Sequence, residues 1–167
     1  MSGGSGQVEA ARDGVVIRRA VDDDADGIAE VSLAAFRATY TFAGVHTDDE
    51  VRRWIRDVIV AKEETWVAAD ADGSIAGFMA LDGHLLDQLY LRPDRTGRGI
   101  GARLLHLAMA RRPDGLSLYT FQVNDGARRF YERHGFVVAA LGDGSGNEEG
   151  QPDVRYEWRP AHARTGP

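Results

Sequence analysis

The 167-residue chain predicts a three-layer α/β domain: a mixed sheet of about seven strands with helices on both faces. Three observations lead there. Short β-branched runs alternate with apolar runs at helical period. Asp72-Gly73 and Asp82-Gly83 each mark a tight antiparallel hairpin between neighbouring runs. Two later strand–helix–strand units need crossovers, so parallel neighbours must join the antiparallel ones.

The elements follow in order. Val15 to Arg18 is the first strand, and Asp22, Asp23 and Asp24 place acid at the start of a helix carrying Ile28, Val31, Ala35 and Phe36. Thr47 and Glu50 have capping-box spacing, and Val51, Trp54, Ile55, Val58 and Ile59 repeat at helical period behind them. Strands are expected at Thr65 to Ala69, Ile75 to Leu81 and Leu85 to Leu91, the last ended by Pro93. A Gly/Arg-rich turn leads into an apolar helix from Ile100 to Ala110, then a strand from Leu116 to Phe121. Asn124 caps a helix that Gly135 stops. Strands at Phe136 to Leu141 and Val154 to Trp158 flank a polar loop, Gly142 to Gln151. A single domain over residues 14–159 is expected, with loose tails at 1–13 and 160–167.

Composition narrows the function. Asp plus Glu number 26 against 20 Lys plus Arg, a net charge of −6, so no nucleic-acid partner is expected. Lys62 is the sole lysine, and there is no cysteine, which excludes disulfides, thiolate metal sites and a Cys nucleophile. A reducing cytoplasm is compatible with that. No apolar run approaches a membrane span. No histidine pair or carboxylate pair has metal-ligand spacing, so no metal is expected.

The sharpest local signal is Arg95-Thr96-Gly97-Arg98-Gly99-Ile100-Gly101-Ala102, after a strand and before a helix. Glycine lets a ligand approach the backbone, and the free amides of a helix start attract anions. A Walker loop needs Lys then Ser or Thr, which are absent. The Rossmann spacing Gly-x-Gly-x-x-Gly and its downstream acid are absent too. A coenzyme A pyrophosphate loop and a turn serving packing alone both remain.

One strand downstream stands Asn124-Asp125-Gly126-Ala127-Arg128-Arg129-Phe130-Tyr131-Glu132-Arg133-His134-Gly135-Phe136. Together with the turn, this resembles the Gcn5-related N-acetyltransferase (GNAT) family. The family's Asn-x-x-Ala-x-x-Phe-Tyr-x-x-x-Gly-Phe is matched at each fixed position. Its Arg/Gln-x-x-Gly-x-Gly/Ala is matched at Gly99 and Gly101, with Thr96 at the Arg/Gln position. The resemblance runs over roughly Val15 to Trp158 and implies an acetyl-CoA-dependent N-acetyltransferase. It implies that amides from Arg98 to Ala102 hold the pyrophosphate, with Thr96, Gly97, Gly99, Ile100 and Gly101 shaping the turn. Leu89, Tyr90 and Leu91 would pair with the pantetheine arm in a gap beside the strand Leu116 to Phe121. Asn124, Ala127, Arg128 and Phe130 would lie near the cofactor, and Tyr131 near the sulfur. Many members are dimers.

For the chemistry, Tyr131 is the expected proton donor to the departing thiolate, since a phenol with pKa about 10 keeps its proton at neutral pH. The competing reading is a packed aromatic beside Phe130. The base stays open between Asp87, the turn residues Asp82 and His84, His46, and a water chain. Phe36, Tyr40 and His46, with Phe42 and Trp54, are candidates for the acceptor pocket, and the acids of the 143–153 loop could attract a cation. The expected acceptor is a small-molecule amine; a protein N-terminus or lysine is the alternative. A module that binds acetyl-CoA without transfer is the reading of a different class.

Overall fold

The computed structural model describes residues 9–161, and the chain order it gives is β1 (Glu9–Arg12), β2 (Val15–Arg19), α1 (Ala25–Thr39), α2 (Asp48–Trp54), β3 (Glu64–Ala69), β4 (Ile75–Asp82), β5 (Leu85–Leu91), α3 (Ile100–Arg111), β6 (Leu116–Phe121), α4 (Asp125–Arg133), β7 (Val137–Gly142) and β8 (Asp153–Trp158). One sheet contains all eight strands in the order β1-β2-β3-β4-β5-β6-β8-β7. Its pairs are antiparallel except β5 with β6.

The expected elements recur with boundaries within about two residues. The eighth strand is β1, which pairs with β2 inside the segment expected to be a tail. The remainder of both expected tails, 1–8 and 162–167, lies outside the described residues.

Period-2 alternation splits the core into two layers. Trp66 and Ala68 of β3 face α3 and α4, joining Leu104, Leu105 and Tyr131. Val67 and Ala69 face α1 and α2, joining Ile28, Val31, Ile55 and Ile59. Thr47 caps α2 as its spacing predicts, its side chain accepting from the Glu50 amide.

Two features differ from the expectation for the second helix. After Trp54 the chain winds into a π-helical segment, Ile55–Val60. The wider turn rotates the apolar stripe, so Ile55 and Ile59 are buried while Trp54 is 40% exposed. Trp54 therefore lies outside both core clusters.

Candidate active site

The sheet opens at the one parallel pair among the described residues. β5 and β6 are in register at Leu85↔Ser117 alone, and beyond it they diverge. β5 remains paired to β4 as far as Gly77↔Leu91, so one edge of its backbone is satisfied while the other faces the gap. The gap is a cavity of about 670 Å³. Its walls include Asp87, Leu89 and Tyr90 from β5, Thr120 and Phe121 from β6, Tyr40, and Asn124, Ala127 and Tyr131 at α4. The loop between β7 and β8 supplies Asp143, Ser145, Asn147 and, at its end, Asp153.

A β-bulge shapes this wall. Ala80 pairs with Gln88 but Leu81 pairs with Leu86, so Asp87 is the inserted residue. Leu86 and Leu89 both lie in the α3/α4 layer, at an odd spacing that a regular strand would send to opposite faces. The bulge reconciles them and re-aims Asp87 into the cavity.

The turn before α3 is formed as its glycines require. Gly97 and Gly99 have φ of 77° and 86°, and Gly99 is the left-handed N-cap of α3. Both are exposed, and a Cβ at either would meet nothing within 4 Å. The first-turn amides, at Ile100, Gly101 and Ala102, lack partners inside the helix. These residues fit a diphosphate: an open concave backbone with the positive end of a twelve-residue helix behind it. Thr96 bonds the turn to itself, its hydroxyl donating to Pro93 O at 3.2 Å. Arg95 is taken by an ion pair with Asp70, so it anchors the turn rather than facing a ligand. Arg98 is exposed at the rim. Arg103, by contrast, reaches back to Val15 O at 3.1 Å.

Asn124 joins the two sides of the cavity. Its Oδ1 accepts from Ala127 N at 3.1 Å, capping α4, and its Nδ2 donates to Tyr40 Oη at 3.1 Å. Tyr40 stacks within a cluster of Phe36, Phe42 and Phe121. Tyr131 is 8% exposed and lines the cavity. Burial pushes its phenol up, and the neighbouring tyrosines Tyr90 and Tyr40 add to the shift, so it stays protonated throughout the neutral range. Phe130, beside it, packs on Tyr131 and on the His134 ring.

Other candidates lie elsewhere. The Arg128 guanidinium donates to Tyr156 Oη, which in turn donates to Glu132, so Arg128 is held against the sheet and outside the cavity wall. His46 is exposed and bridges Glu50 (Nδ1, 2.9 Å) and Glu148 (Nε2, 2.6 Å), beside the cavity rather than in it. Hydrogen bonding to both carboxylates raises its pKa. His84 contacts Gly115 O near the β5/β6 junction, and Asp82 is exposed. Glu63 gave no signal as a site residue in the sequence: it is 9% exposed, its two carboxylate oxygens are buried, and Asp87 is the acid that acts on it most strongly. Only its burial could have been read, since Glu63, Thr65, Val67 and Ala69 alternate onto one buried face.

A family model described as an acetyltransferase (GNAT) domain matches residues 61–138, which contain β5, the turn and α4. The peptidyl-lysine N-acetyltransferase YjaB of Salmonella typhimurium is 30% identical over 122 residues, covering 73% of this chain and 83% of the relative. The chain belongs to the GNAT family. YjaB of Escherichia coli, given the same description, is 27% identical over 124 residues, 74% of this chain and 83% of its own. The fold of this GNAT enzyme superposes on the apo-form E. coli YjaB solution structure with a TM-score of 0.73 at 24% identity, covering 88% of this chain and 99% of that one. A PaiA N-acetyltransferase from Thermoplasma acidophilum, solved in complex with coenzyme A, gives a TM-score of 0.63 at 22% identity, over 87% and 99% of the two chains. This GNAT chain is an acetyltransferase.

Proposed function

We propose that the enzyme moves an acetyl group from acetyl-CoA directly to the primary amine of a small cationic molecule, with both bound in the β5/β6 cavity. One observation carries the choice of acceptor. Asp87, Asp143 and Asp153 line the cavity, and among the described residues lining it none is Lys, Arg or His. A wall with this balance concentrates an ammonium group and disfavours an anion. Acetyl-CoA supplies the acyl carbonyl and the thiol leaving group. The first-turn amides of α3 hold its diphosphate, and the free edge of β5 aligns its arm. Tyr131 gives its proton to the departing thiolate, and Asp87 faces the incoming amine.

The second reading, a protein lysine as acceptor, is favoured by the names of the two YjaB relatives. It presents the same alkylammonium chemistry. The His46–Glu148 contact ties the 143–153 loop to the α1–α2 junction, a bridge that a folded protein surface would have to displace. That supports the small amine.

Thiol release measured with polyamines, amino-acid derivatives and lysine peptides tests the choice. The small diamines are expected to give the highest kcat/KM. Preference for lysine peptides would transfer the reading to protein acetylation, and binding of acetyl-CoA without turnover on any amine would favour a sensor.

A further inference from the structure

Two acids are buried among the described residues: Asp24, which is paired with Arg18, and Glu63, which has no ion pair. Glu63 follows the π-helical segment, its amide donating to Ile59 O at 3.3 Å, which fixes it at the foot of β3. Both carboxylate oxygens are buried, and neither accepts a hydrogen bond from any N–H or O–H donor among the described residues. A lone buried carboxylate is costly, so this one must be neutral or share a proton. Glu64 is in register with Leu81, and Leu81 with Leu86, so the sheet brings Asp87 and Asp82 to the same end of β3, β4 and β5 as Glu63, and Asp87 acts on it more strongly than Asp82. Asp87 in turn is the bulged residue whose side chain lines the cavity. The other titratable groups around that wall are Tyr40, Tyr90, Tyr119, Tyr131, Asp143, Glu149 and Asp153, all acidic or phenolic. A buried acid and a cavity-facing acid thus meet through the sheet, with no cation among those named groups to hold both ionised.

We propose that Glu63 and Asp87 form a carboxyl pair holding one proton at neutral pH, and that this pair receives the proton the acceptor amine must lose. Two like charges this close cannot both ionise easily, so the pair releases its last proton late. Burial, then the hydrogen bond and charge of Asp87, push the Glu63 carboxyl up to about 8. A base in that range is matched to an alkylammonium far better than an ordinary carboxylate is. The fully ionised pair takes H⁺ from R–NH₃⁺ at Asp87. The freed nitrogen lone pair forms the N–C bond, the C–S bond breaks, the thiolate takes the Tyr131 proton, and the second N–H proton, lost as the neutral amide forms, restores the Tyr131 phenol. Glu63 touches no substrate; it is a positioning residue that acts on the amine only through Asp87. The step rests on acetyl transfer to an amine in this cavity, while the shared proton does not.

Carboxyl ¹³C NMR of the protein without acetyl-CoA reads the pair directly. Glu63 should titrate near pH 8 in the wild type and at lower pH in Asp87→Asn, which removes the like charge. In turnover, Glu63→Gln should lower kcat by roughly 10²-fold. It should leave the KM for acetyl-CoA and its calorimetric affinity unchanged, and abolish the rise in kcat/KM through pH 8. An ordinary Glu63 titration that ignores Asp87→Asn would overturn the pair. A wild-type pH profile in Glu63→Gln would overturn its part in the reaction. Failure of acetyl-CoA to bind the wild type would sink the proposed function yet leave the NMR result standing.

Discussion

Glu63 and Glu64 are neighbours in the chain and opposites in chemistry, because consecutive residues entering a strand face opposite sides of the sheet. Glu64 turns to the α3 face. There it accepts from Arg111 at 2.7 Å, from Arg112 at 3.2 Å and from the Trp66 indole at 2.9 Å. Those donors overcome its own desolvation and hold its carboxyl down to about 2. Glu63 turns to the α1/α2 face, meets Asp87 instead of an arginine, and is pushed up to about 8. One face of the sheet spends its ion pairs on holding a helix down; the other keeps an unpaired acid next to the cavity. The same chain position, moved by one residue, gives an anchor or a poised proton site.

The largest effect should come from the cavity side. Tyr131→Phe keeps the aromatic packing on Phe130 and Phe136 and removes the phenolic proton. It is expected to cost roughly 10²–10⁴-fold in kcat with acetyl-CoA affinity intact. Steady-state thiol release paired with calorimetry separates the two, and undiminished turnover would reduce Tyr131 to packing.

Stability against pH sharpens the contrast between the two glutamates. Glu64 has a depressed pKa, so its contribution is complete above pH 4.5 and is lost as pH falls toward 2. Glu64→Gln should therefore destabilise the fold at pH 7 by on the order of 3 kcal/mol, with the difference closing in acid. Glu63 has a raised pKa. Its contribution is complete below pH 4.5 and drains away as pH rises toward 8, where the folded protein must ionise a buried group. Glu63→Gln should match the wild type near pH 4 and exceed it at pH 9 by on the order of 2–5 kcal/mol. Denaturant unfolding across that pH range checks both signs, and parallel curves for the two variants would erase the distinction.

The smallest effect belongs to His46. Its raised pKa means the bridge to Glu50 and Glu148 is strongest in acid and weakens as pH climbs past the ordinary histidine value of 6.5. His46→Gln should speed amide hydrogen exchange over residues 143–150 at pH 6 and change little at pH 9.

Most of the architecture was readable from periodicity and turn chemistry, since apolar alternation, two Asp-Gly pairs and two caps are local signals. β1 was not, because Glu-Ala-Ala-Arg has no β-branched residue and owes its strand to the free edge of β2. Trp54 was misplaced because the helical period it obeys ends where the π segment begins. In the candidate site, the left-handed turn and the Asn124 cap of α4 are local and could be read from sequence, whereas the bond that Tyr156, 28 residues further on, accepts from the Arg128 guanidinium could not. Glu63 escaped for the same kind of reason: its partner Asp87 is brought to it across an intervening strand, and only the bulge turns Asp87 that way.

The most direct test is a titration of isotopically labelled protein with acetyl-CoA, following backbone amide shifts. Saturable changes should appear at Leu89 to Leu91 and at Arg98 to Ala102 together, on the two ends of one path along the β5/β6 gap. Binding with shifts confined to the outer faces of α1 and α2, or no binding at millimolar ligand, would contradict the account.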